Sequence, residues 1–122
     1  LGFWHQYYMR SESTIKSVFG DNKATFQTTA EFMIESISSA EPTLSKGKCS
    51  VKSLTENDAC KPVKKELEEL ERRNITYIDC DGLTVKFYTI YDYYYIYYSP
   101  LSSAGVEDNL GNGWSYIKTS KN

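Results

Sequence analysis

The chain has 122 residues, of which 40% are hydrophobic, 25% charged and 15% aromatic, with a net charge of −2. That length suits a single domain, 1–122, and can bury a real core without metal or a dense disulfide set. The charge gives no electrostatic reason to expect nucleic acid or an anionic membrane as partner, and no run approaches the ~18 apolar residues a membrane span needs.

The first residue is Leu1 rather than methionine. Leu1-Gly2-Phe3-Trp4 would suit the tail of a removed membrane-proximal segment, or a boundary cut from a longer chain; no stretch reads as a signal peptide. Trp4, Tyr8, Ile15, Val18 and Phe19 recur at near-helical spacing, with Arg10, Glu12 and Lys16 off the stripe. The spacing predicts a helix over about 3–19, with Gly20 at the C′ position and Asp21 or Asn22 as N-cap of a second helix. Lys23 to Ser38 fits a helical face (Phe26, Ala30, Met33, Ile37) and strand alternation (Phe26, Thr28, Ala30, Phe32, Ile34) about equally. Length and the cap favour helix, while three threonines in its first half count against it. Residues 3–38 are therefore expected to be helical.

Residues 39–61 read as a loop, with Pro42, Gly47 and two cysteines, Cys49 and Cys60, around the polar run SVKSLTENDA. A Cys49–Cys60 bridge would remove ~2.5–3 kcal/mol of unfolded-chain entropy and would fit an oxidising compartment. Cys80 would then be a buried small hydrophobe or the true partner of either; three reduced thiols are the alternative. Pro62 suits the first turn of a helix over 62–73, with Val63, Leu67 and Leu70 as its apolar stripe. Lys64–Glu68 and Lys65–Glu69 are i,i+4 pairs on its solvated side, and Arg72 and Arg73 suit its C-terminus.

From Asn74 to Thr119 the pattern turns to β. NITYI, LTVKFYTI, YYYIYYS and GWSYIKT are expected strands, and Asp81-Gly82 is a hairpin signal. Leu83, Val85 and Phe87 should share one face, as should Trp114, Tyr116 and Lys118. Helices followed by a meander predict an α+β fold: two or three N-terminal and central helices packed on a C-terminal antiparallel sheet of about four strands.

Seven of the eleven tyrosines fall between Tyr88 and Tyr98. A strand with tyrosines on both faces has one face for a core and another to present. No residue set specifies a reaction. The only histidine, His5, has no motif around it for a Cys–His or Ser–His–Asp arrangement. Zinc spacing is missing among Cys49, Cys60, Cys80 and His5, and Asp108 to Gly113 departs from a calcium loop at Leu110. No phosphate loop follows a strand. Asn74-Ile75-Thr76 is a glycosylation sequon. No catalytic residue, metal or cofactor is assigned.

Between Asp81 and Asp108 the only cation is Lys86, and single-strand binders pair aromatics with a basic groove, which argues against nucleic acid. The expectation is a non-enzymatic, extracytoplasmic protein-binding domain, of inhibitor or immunity type. It would bind another protein through Tyr91, Tyr93, Tyr94, Tyr95, Tyr97 and Tyr98, with Glu107 and Asp108 from the following loop. The mild acidity would suit a basic partner. The alternative is a carbohydrate or small-ligand module on the same sheet face. A small hydrolase using Asp79, Asp81 or Glu107 is a third class.

Overall fold

The computed structural model describes residues 11–89, 93–101 and 109–119. Ser11 starts helix α1, Glu12–Asp21: its hydroxyl accepts the Thr14 amide at 3.3 Å. The expected helix from residue 3 is thus described only from Glu12. Gly20 lies inside α1 rather than stopping it. The stop is Asn22, whose backbone leaves helical geometry at φ −130°. Its side-chain amide donates back to the Val18 carbonyl at 2.8 Å and accepts from Arg73 Nε at 3.3 Å. Asn22 also begins α2, Lys23–Ser38, but without a side-chain capping bond.

In α2 the helical period wins over strand alternation. Phe26, Thr29, Ala30, Met33, Ser36 and Ile37 are its buried residues, the 3–4 spacing of one helical face.

The expected loop 39–61 is corrected by the structure. Gly47–Ser50 forms strand β1, Val51–Thr55 helix α3, and Asp58–Val63 a 3₁₀ helix. Its polar residues are caps: Ser50 Oγ accepts the Ser53 amide at 3.1 Å, and Asn57 Oδ1 the Ala59 amide at 2.9 Å. Three of its sparse apolar residues, Val51, Leu54 and Cys60, are buried. The expected Cys49–Cys60 bridge is not formed; Cys49, Cys60 and Cys80 are free thiols. The residues between the first two are ordered helix that seats Cys60 in the core, so no floppy loop needs tying. Pro62 falls in the 3₁₀ helix, and helix α4 follows as Lys64–Arg72. Glu69 pairs with Arg72 and Arg73 at its end, at 2.5 and 3.1 Å.

The remaining strands are β2 (Ile75–Cys80), β3 (Val85–Thr89), β4 (Tyr94–Tyr98) and β5 (Trp114–Lys118). Five strands form one antiparallel sheet in the order β1-β2-β3-β4-β5, one more than expected because β1 joins from the supposed loop. The β2–β3 hairpin closes on Asp81 N–H donating to Thr84 O at 3.3 Å, with Gly82 and Leu83 between them. Gly82 adopts φ +92°, which glycine enters without a Cβ penalty. Leu83 is exposed and does not share the face of Val85 and Phe87.

Helices α2 and α4 cover one face of the sheet, giving the α+β layer arrangement. Between them Trp114, Phe26, Phe87 and Phe19 cluster with centroids 5.0–5.9 Å apart. Trp114 is fully buried, and its indole N–H donates to Gln27 Oε1 at 2.7 Å. The Gln27 amide nitrogen then donates to the Tyr98 hydroxyl at 3.0 Å. One glutamine side chain thus ties α2 to both β4 and β5 and satisfies polar atoms inside an aromatic core.

Candidate interaction face

Strand alternation divides the tyrosines. On β4, Ile96 and Tyr98 are buried against the helices, with Tyr94 half-buried on the same side. Tyr95 and Tyr97 therefore point to the opposite face. On β3, Val85, Phe87 and Thr89 are buried and Lys86 and Tyr88 point outward. On β2, a register irregularity between Ile75 and Tyr77 sends Ile75, Ile78 and Cys80 inward and Tyr77 and Asp79 outward.

Cross-strand register then assembles two rows on the outer face. Ser50, Tyr77, Tyr88, Tyr95 and Ile117 lie opposite one another across β1 to β5. Beside them run Lys48, Asp79, Lys86, Tyr97 and Ser115. Tyr88 and Tyr95 approach to 5.1 Å between centroids, and Tyr95 meets Tyr97 edge-on at 6.5 Å. The Lys48 ammonium lies over two rings, 4.9 Å from the centre of Tyr77 and 4.6 Å from that of Tyr88. The Lys86 ammonium lies 5.6 Å from the centre of Tyr95. Each such contact contributes roughly 0.5–1 kcal/mol at an exposed site.

Asp79 stands in register between the two lysines. Among the described residues, neither lysine forms an ion pair with it; the ion pairs there are those of Glu69. Tyr77 is 39% exposed and Ser115 only 1% exposed, so the face is most open toward β2.

The expected binding residues are therefore split. Tyr95 and Tyr97 belong to the outer face. Tyr93 is exposed just before β4. Tyr94 and Tyr98 belong to the core side: Tyr94 meets Tyr116 edge-on at 6.1 Å, and Tyr98 stacks on Trp114 at 4.5 Å. Tyr91, Glu107 and Asp108 lie outside the described residues, as does His5. The sequence reading missed Tyr77 and Lys48. Tyr77 was legible in its strand, but only pairing places it beside Tyr88, and Lys48 sat in a stretch read as loop.

The two aspartates of the expected acidic set have different surroundings. Asp81 Oδ1 accepts from the Leu83 amide at 2.9 Å, the Thr84 amide at 2.7 Å and the Thr84 hydroxyl at 3.1 Å. Burial raises its pKa, but these hydrogen bonds outweigh that and hold the carboxyl below its ordinary value. Asp81 is a turn carboxylate, and Asp79 stands between Lys48 and Lys86 in their row. Burial raises the thiol pKa of Cys60, with nearby Cys49 adding to it, and burial likewise raises that of Cys80. Both stay protonated where a nucleophilic cysteine would need to be thiolate. No group of three or more metal-ligating side chains occurs among the described residues, and no helix described is long and apolar enough to cross a membrane. Compared with protein-family models, characterised proteins and solved structures, the chain finds no match.

Proposed function

We propose that this is a non-enzymatic binding protein that captures another protein on the outer face of its sheet, in the manner of an inhibitor or immunity protein. The observation that carries the proposal is the cross-strand row Tyr77–Tyr88–Tyr95, on the face opposite the helices and flanked by Lys48 and Lys86. Tyrosine contributes large contact area with few rotatable bonds, and it is enriched where protein interfaces concentrate their energy. Neighbouring rings and ammonium groups hold these side chains before any partner arrives, which lowers the ordering cost of binding. A sugar stacked on the same face is less well supported, because Lys48 and Lys86 lie over the rings that stacking would use. The free thiols withdraw the bridge as an argument for an extracytoplasmic setting; fractionation of the source cells tests that part of the proposal separately.

The test is capture of an identified partner from the source by immobilised protein, repeated with Tyr88→Ala/Tyr95→Ala. Hot-spot tyrosines are worth about 2 kcal/mol or more, so affinity should fall by roughly 30-fold or more. Affinity unchanged in that variant, for every partner found, would sink the proposal.

A further inference from the structure

The outer face has a charge of its own, and with the reading above as its basis, that charge specifies the partner's chemistry. The strand residues on this face carry two lysines, Lys48 and Lys86, against one aspartate, Asp79. That is one net positive charge among the described residues of this face, on a chain whose total is −2, and a basic partner does not suit it.

We infer that the partner docks through an acidic, extended segment whose carboxylates are received by the Lys48 and Lys86 ammonium groups. The ring contacts fix where these groups sit, so less side-chain freedom is lost when a carboxylate arrives. Each ammonium has hydrogens to spare for charge-assisted bonds, since it has no ion pair with Asp79. Lys48 on β1 and Lys86 on β3 are two strand spacings apart, about 10 Å. Alternate side chains of an extended peptide project on one side about 7 Å apart, and glutamate and lysine side chains span the difference. Asp79 between the lysines repels a carboxylate placed midway. The face therefore favours two separated acids, spaced so that each meets one ammonium group. Stacked bases would have to displace the lysines from the rings, so single-stranded nucleic acid fits less well despite its phosphates.

The experiment is an NMR titration of the full chain with hexaglutamate, hexalysine and octathymidylate as probes. Hexaglutamate should shift the resonances of Lys48, Lys86 and Tyr95 saturably and more weakly as salt rises. Lys48→Gln/Lys86→Gln should weaken that binding about tenfold or more, whereas Lys16→Gln on α1 should not. Both lysines in the double variant reach solvent, and an unchanged thermal melt confirms that it folds. No shift at these residues, equal binding by the double variant, or tighter binding of octathymidylate each overturns the inference. Partner capture that survives the lysine changes but not Tyr88→Ala/Tyr95→Ala overturns the acidic segment while leaving the protein-binding reading intact. Capture indifferent to both variants overturns both.

Discussion

Tyr95 and Tyr98 sit three residues apart on one strand and meet opposite environments. Tyr98 is buried, stacked on Trp114, with its hydroxyl accepting from Gln27. Tyr95 is half-buried between Tyr88 and Lys86 with no part in the helix-facing core. The same residue type thus performs two jobs, set only by odd or even position. The cysteines divide in a similar way. Cys49 is half-buried at the edge of a cavity of about 340 Å³ that also touches Met33, Leu44 and Leu54. Cys60 and Cys80 are fully inside, with raised thiol pKa. At mildly alkaline pH, iodoacetamide should label Cys49 first and reach the other two only in denaturant, as mass spectrometry would show. A Cys49–Cys60 bridge in the native protein would contradict this. Because the folded thiols keep their protons to higher pH than unfolded ones, their contribution to stability is complete below the ordinary thiol range. It is lost as pH rises through the folded values.

If a partner binds as proposed, the strand edges favour the face over a side. Strand β5 is an outer strand, yet its backbone is answered along most of its length. Asn109 accepts the Tyr116 amide at 2.9 Å and donates to the Tyr116 carbonyl at 3.4 Å, as a neighbouring strand would. Leu110 donates to the Trp114 carbonyl at 3.0 Å, and Lys118 adds a charge at the end. β1, at the other edge, has four residues, too few to template a long added strand. Gly113 leads into β5 with φ +89°, and a Cβ there would stand 3.1 Å from the Ser99 carbonyl. Gly113→Ala should therefore cost at least about 1–2 kcal/mol and lower the urea midpoint. An unchanged midpoint would show that the turn accommodates a side chain.

The strongly periodic elements were legible in the sequence: α4 by its leucines, and β2 to β5 by alternation and turn residues; α2, whose apolar residues fit helix and strand about equally, was legible only by its length and cap signal. β1 and α3 were not. Their apolar residues are few and separated by capping serines and asparagines, which look like loop until tertiary contacts bury Val51, Leu54 and Cys60. Missing β1 also hid Lys48, so the lysine pair on the outer face became visible only from register.

The described residues form two layers with an unequal division of labour. Helices and the inner sheet face enclose Trp114, Phe19, Phe26 and Phe87, and these carry the stability. The outer face holds tyrosines and lysines whose mutual contacts are worth little by comparison. If that division holds, the two faces must respond differently to truncation. The direct measurement is urea unfolding of Tyr77→Ala/Tyr88→Ala/Tyr95→Ala beside Phe87→Ala. Two lost cross-strand pairs and three lost ring–ammonium contacts should cost about 1–1.5 kcal/mol per truncated ring, whereas Phe87, 0% exposed, should cost ~3–5 kcal/mol by itself. A triple variant that lost as much stability per ring as Phe87→Ala would mean that the outer tyrosines are structural, and the binding face would lose its basis.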